Sequence, residues 1–127
     1  MNKIIIVGAG FAGLQTAQGL ATSSFDVTII DKNNYHLFQP LLYQVATAGL
    51  SPADIAVPIR NIFRSQQNPK VVLDELIEVN SKLNQIKTKN NTYFYDFLVI
   101  ATGSEPSYFG HDQWKNFSPG LKNINDA

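Results

Sequence analysis

Four apolar residues, Ile4-Ile5-Ile6-Val7, end at Gly8, and the spacing of apolar positions then changes. Over residues 11–21 they fall at Phe11, Leu14, Ala17, Leu20 and Ala21, three or four apart, which predicts a helix. Gly19 weakens it a little. Residues 25–30 (FDVTII) are rich in β-branched side chains and predict a second strand. Residues 33–50 then form a long connection of unusual content, with Tyr35, Leu37, Phe38, Leu41, Leu42 and Tyr43 where loops are ordinarily polar. Such a loop points to binding or to an interface. Ser51-Pro52-Ala53-Asp54 is a helix start, with Ser51 as N-cap, Pro52 at the first position and Asp54 in the first turn. Ile55, Ile59, Ile62 and Phe63 share one face beyond it, and Pro58 is expected to kink or break the helix.

After Asn68-Pro69 the pattern turns to strands: a short run at 71–73, antiparallel partners at 75–80 and 83–89, and a further strand at 92–95. Asn90-Asn91 is the expected hairpin turn, because asparagine tolerates positive φ. Lys82, Lys87 and Lys89 fit a solvated face or charged edge of this meander. The continuous apolar run at 97–101 predicts a strand at the centre of a parallel sheet. Thr102-Gly103-Ser104 follows as a tight turn, and residues 105–127 read as loop, with Tyr108, Phe109, Trp114 and Phe117 along it.

The turn between the first strand and the first helix carries chemistry. Gly8-Ala9-Gly10-Phe11-Ala12-Gly13 is a G-x-G-x-x-G. Gly8 permits the tight turn, Gly10 lets a pyrophosphate approach the backbone, and Gly13 lets the helix pack closely. The helix-start N–H groups and the positive end of the helix dipole would face phosphates. Alone the motif is weak, but a strand precedes it, a helix and a second strand follow, and Asp31 ends that strand 18 residues past Gly13. A carboxylate there can accept hydrogen bonds from an adenosine ribose and repel a 2′-phosphate. The plainer alternative is a glycine-rich turn in an α/β protein without a nucleotide, with Asp31 a solvated strand end.

Composition narrows the function classes. With 127 residues the chain is long enough for one modest domain. Ten basic and ten acidic residues cancel, which removes any electrostatic case for nucleic acid. The absence of cysteine excludes disulfides, thiol redox chemistry and cysteine metal sites, and suits a reducing, cytoplasmic setting. No run approaches the 18 apolar residues of a spanning helix. His36 and His111 stand 75 residues apart with no acidic cluster beside them, so structural hydrogen bonding suits them better than a metal or catalytic role. No nucleophile or general-base pair is evident, and no catalytic residue is assigned.

Together, Gly8-x-Gly10-x-x-Gly13, the meander and Ala101-Thr102-Gly103 resemble the FAD domain of flavoproteins with two dinucleotide-binding domains. The segment NYHLFQPLLYQVATAGLSPADIA, residues 34–56, is more specific and resembles the type II NADH dehydrogenases, non-proton-pumping NADH:quinone oxidoreductases. Ser107-Tyr108-Phe109-Gly110, Trp114 and Pro119-Gly120-Leu121-Lys122 fit as well. The resemblance covers essentially the whole chain. It implies an α/β Rossmann-like FAD-binding domain, a parallel sheet with a βαβ start and an antiparallel meander, incomplete at its C-terminal end.

Residue by residue, the resemblance implies that Gly8, Ala9, Gly10, Phe11, Ala12 and Gly13 hold the FAD pyrophosphate. Asp31 would bind the adenosine ribose with Lys32 beside it, and Leu76 would offer backbone atoms to the adenine. Thr102 and Gly103 would turn past the cofactor, and Gln39-Pro40-Leu41-Leu42 would sit near the isoalloxazine. In such enzymes NADH reduces the flavin, which passes two electrons to a membrane quinone; the flavin carries the chemistry. A whole member is expected to continue with an NADH-binding domain, a return to the FAD domain and membrane-docking helices. On this resemblance residues 1–127 would be the N-terminal portion only, and alone they are expected to be inactive. Two other readings stay open: a different FAD-dependent reductase of this superfamily, such as a sulfide:quinone or ferredoxin-type enzyme, and an inactive truncated remnant. The lack of cysteine weighs weakly against sulfide oxidation.

Overall fold

In the computed structural model, which describes residues 1–127, the opening apolar run is β1 (Lys3–Val7). It leads through α1 (Phe11–Gly19) to β2 (Asp26–Asp31), which lies parallel to it with Ile6 opposite Ile29. After β3 (Tyr35–Leu37), α2 (Leu42–Ala46), α3 (Pro52–Ile55), β4 (Ala56–Pro58) and α4 (Ile59–Ile62) comes β5 (Pro69–Leu73), which pairs parallel with β2. The antiparallel meander is β6 (Leu76–Asn80), β7 (Gln85–Thr88) and β8 (Thr92–Phe94); β9 (Phe97–Ile100) then pairs parallel with β1. The parallel sheet thus runs β5-β2-β1-β9.

Alternation along β1 explains why its run is apolar throughout. Ile4 and Ile6 face one side with Val27, Ile29, Leu14 and Ala17 of α1, and Ile59 and Phe63. Ile5 and Val7 face the other with Ile30 and Ile86, against which Leu76, Tyr93 and Tyr95 also pack. Helix covers one face and meander the other, so successive side chains are all buried. Ile6, Ile29 and Ile30 are fully inaccessible, each burial contributing about 1.5–3 kcal/mol.

The chain divides into two compact units, Met1–His36 with Pro58–Gly103, and Leu37–Val57 with Ser104–Ala127. The second unit buries Leu42 and Ile55, and the Phe38 N–H donates to the Ile55 carbonyl at 2.8 Å. Its α3 begins as the Ser51 signature predicts, with the Ser51 N–H donating to the Asp54 carboxylate at 2.7 Å. The C-terminal segment holds itself by local bonds: the Tyr108 hydroxyl donates to the Ser118 carbonyl at 2.5 Å, and the Lys122 N–H to Asp126 at 2.8 Å. Trp114 stacks on His111 with ring centroids 4.3 Å apart. No helix is long and apolar enough to cross a membrane.

Several expectations change. β9 is an edge strand rather than a central one, because only β1 pairs with it; Phe97 and Ile100 are more than half exposed. α1 stops at Gly19, where the Leu20 and Ala21 N–H groups close tight turns onto Ala17 and Gln18. Residues 33–50 are largely ordered into β3, a 3-10 turn at Gln39–Leu41 and α2. Pro58 does not kink a helix: it ends β4 and caps α4, whose Ile59 N–H bonds instead to the Asn34 carbonyl at 3.0 Å. Positive φ falls on Asn84, before β7, and not on Asn90 or Asn91. The side chains of that second pair are engaged with Asp74.

Candidate dinucleotide site

The turn between β1 and α1 is built by close backbone approaches. Gly8 has φ +102° and donates its N–H to the Ile30 carbonyl at 2.8 Å. A Cβ on Gly8 would lie 2.2 Å from the Ala101 carbonyl oxygen, so the expected turn glycine also makes room for the chain leaving β9. A Cβ on Gly13 would lie 1.8 Å from the Gly8 carbonyl oxygen. α1 therefore packs first against its own turn, with the Ile6 side chain next at 3.4 Å. Gly10 is different. Its φ of −72° suits any residue, and nothing lies within 4 Å of where its Cβ would be. The missing side chain leaves an open approach to the backbone.

α1 has no side-chain cap and no acidic residue in its first turn. The Ala12 and Gly13 N–H groups precede the first intrahelical bond, Leu14 N–H to the Gly10 carbonyl at 3.0 Å. No carboxylate on the helix offsets its positive end, and Gly10 lies open at that end; an anionic ligand such as a pyrophosphate fits.

Asp31 is drawn into the turn. One carboxylate oxygen accepts the Ala9 N–H at 2.6 Å, and the other accepts the Asn33 N–H at 2.7 Å. A carboxylate has about four acceptor positions, so two remain for ribose hydroxyls. The Ala9 N–H is thereby used within the protein and is not free to meet a ligand. Lys32 is exposed beside Asp31. Thr102 is brought against Gly8, its nitrogen 3.1 Å from the glycine's Cβ position, and Gly103 turns the chain with φ +74°. Leu76 starts β6 opposite Thr88, just before a register shift, with its side chain packed toward Ile86. Gln39, Pro40, Leu41 and Leu42 belong to the second unit, where Leu42 is buried.

Asp74, buried just past β5, is a residue that the sequence pattern alone does not single out. Its N–H donates to the Asp31 carbonyl at 2.9 Å. Its carboxylate accepts the Thr88 hydroxyl at 2.8 Å, the Glu75 N–H at 2.8 Å and the Asn90 amide at 3.0 Å. It thereby joins the meander's β7–β8 turn to the strand ends that carry Asp31. The Leu73-Asp74-Glu75 stretch gives one hint, an acid between a strand and the meander, but burial was invisible there. Burial pushes the Asp74 pKa up; the bonds from Thr88, Glu75, Asn91 and Asn90 outweigh it and leave it below the ordinary carboxylate value.

A depressed native pKa means that the unfolded chain binds the proton first. The stabilisation from Asp74 is complete above the unfolded value, roughly 3.9, and is lost as pH falls through the lower native one. Wild type is expected to lose urea resistance steeply below about pH 4, while Asp74→Asn is weaker at neutral pH and less steep in acid. Parallel acid profiles would contradict this. Glu75, bonded to the Lys89 ammonium, is also held below its ordinary value, with a smaller contribution from Lys32.

A parallel sheet of order β5-β2-β1-β9, a glycine turn open at Gly10 and an acid at the end of β2 define a dinucleotide-binding α/β protein. Residues 2–127 match the model of the pyridine nucleotide-disulphide oxidoreductases, and the chain belongs to that family. Within it the chain is similar to the type II NADH:quinone oxidoreductases. It is 43% identical to NdhA of Mycobacterium tuberculosis, over 99% of this chain and 28% of that protein. Against the Staphylococcus haemolyticus enzyme identity is 30%, over 99% of this chain and 32% of the relative. NDH2 from Plasmodium falciparum, solved in complex with NADH, superposes with a TM-score of 0.88 at 29% identity, over 98% of this chain and 27% of that one. The sulfide:quinone oxidoreductase of Aquifex aeolicus also gives 0.88, at 23% identity over 99% of this chain and 30% of that one, and shares the fold. The chain spans about a third or less of the length of these relatives.

Proposed function

We propose that this chain is the FAD-binding part of a type II NADH:quinone oxidoreductase. The observation that carries the reading is the open α1 start at Gly10 with the Asp31 carboxylate bonded into the same turn. The 43% identity to a type II enzyme over nearly all of these residues supports the choice of enzyme. Amides of Gly10, Phe11, Ala12 and Gly13 bind the pyrophosphate, and Asp31, with Lys32 beside it, binds the ribose. Leu76 lends backbone atoms to the adenine, and Thr102 and Gly103 let the chain turn past the cofactor. Bound FAD supplies the redox chemistry between NADH and quinone. The whole protein would work at the cytoplasmic face of a membrane, where NADH and a membrane quinone can both reach it.

The test is a flavin titration. The purified chain, incubated with FAD and desalted, is expected to retain a flavin absorption band that heat releases. A protein that stays colourless overturns the reading. These residues hold one glycine-rich dinucleotide turn, so NADH oxidation with a soluble quinone is not expected from them alone. Such turnover would show that the chain also holds a site for the hydride donor.

A further inference from the structure

Ala9, at the middle of the turn, is held by two side chains from distant parts of the sequence, one on the peptide unit before it and one on the unit after it. Asp31 takes the Ala9 N–H at 2.6 Å. On the next peptide unit, the Ala9 carbonyl oxygen lies 2.9 Å from His36 Nδ1. A carbonyl oxygen has no proton to give, so His36 Nδ1–H is the donor. The imidazole is half-buried and stands edge-on to the Phe11 ring, with centroids 5.1 Å apart and planes at 87°, which fixes its direction.

In a trans peptide the carbonyl and the N–H point to opposite sides. Holding the Ala9 carbonyl toward His36 turns the Gly10 N–H away from it. None of the turn's hydrogen bonds uses that N–H, and the space beside Gly10 is open. Glycine is the residue whose backbone most readily rotates, so this peptide is the one most in need of an external hold. We propose that His36 is a positioning residue: it pins the Ala9–Gly10 peptide so that the Gly10 N–H is presented, before any ligand arrives, to a ligand's pyrophosphate. This rests on the reading of the turn as a dinucleotide site. The histidine neither touches the ligand nor reacts.

The experiment compares His36→Leu, which has no donor, with His36→Asn, whose Nδ2 sits as many bonds from the backbone as the imidazole Nδ1. FAD affinity is measured by flavin fluorescence, and ADP and adenosine are measured as competitors. His36→Leu is expected to weaken FAD and ADP binding about five- to tenfold and to leave adenosine within about twofold. His36→Asn restores FAD affinity to within about threefold. Equal losses for ADP and adenosine would make His36 a general structural support and overturn the proposal. So would unchanged FAD affinity in His36→Leu, or an unrescued loss in His36→Asn whose apo melting temperature matches wild type. A wild-type chain that binds no FAD at all would remove the dinucleotide reading and this inference together, a result distinct from each of the others.

Discussion

Gly13→Ala is expected to destabilise the protein by about 2 kcal/mol or more and to abolish flavin retention. The new methyl carbon would sit 1.8 Å from the Gly8 carbonyl oxygen and 2.9 Å from its carbon. Those are backbone atoms, so relief requires moving the turn. Gly8 cannot move freely, since its N–H is bonded to Ile30 and its own Cβ position is taken up by the Ala101 carbonyl. The better helix propensity of alanine, about 1 kcal/mol, opposes this but is outweighed by overpacking of roughly 1–3 kcal/mol together with the broken turn. Gly19→Ala is the control of opposite sign. Nothing lies within 4 Å of its Cβ position, and the same change there is expected to stabilise by up to about 1 kcal/mol. Urea midpoints of the two variants decide the matter, and a Gly13→Ala protein as stable as wild type would refute the packing account.

Asp31→Ala is expected to raise the dissociation constant for FAD about 100-fold. The carboxylate has two jobs, and both are lost: it accepts the Ala9 and Asn33 N–H groups within the protein, and it is left with acceptor positions for a ribose. Hydrogen bonds to a charged group contribute about 1.5–3 kcal/mol each, and losing those to the ribose alone accounts for a change of that size. Asp31→Asn keeps one oxygen but no charge and should fall between alanine and wild type. Flavin titration provides the measurement; an Asp31→Ala affinity within threefold of wild type would place the ribose elsewhere.

These two sites were legible in the sequence to different depths. The glycine spacing and Asp31 at the end of the next strand are local features, and their order along the chain was enough to place the βαβ unit and to propose a nucleotide turn within it. The particular contacts were not local. Gly13 meets Gly8 and Gly8 meets Ala101 only because α1 folds back over the turn and β9 lies beside β1. The meander was readable from its strand pattern, yet its left-handed residue is Asn84, before β7, while Asn90 and Asn91 direct their amides to Asp74. The burial of Asp74 is not legible in the sequence, because an acid between two strands looks solvated until the chain closes over it.

By itself the sequence determined that the protein starts with a βαβ unit around a glycine-rich turn and carries an antiparallel meander. Periodicity and glycine spacing are properties of neighbouring residues and survive without a third dimension. Only the tertiary structure decided that Phe97–Ile100 lies at an edge, that Asp31 spends part of its carboxylate on the Ala9 N–H, and that His36 holds the carbonyl on the far side of the same residue. Those outcomes depend on which distant segments pack together, and hydrogen bonds between residues 22 or 27 positions apart leave no period in a sequence.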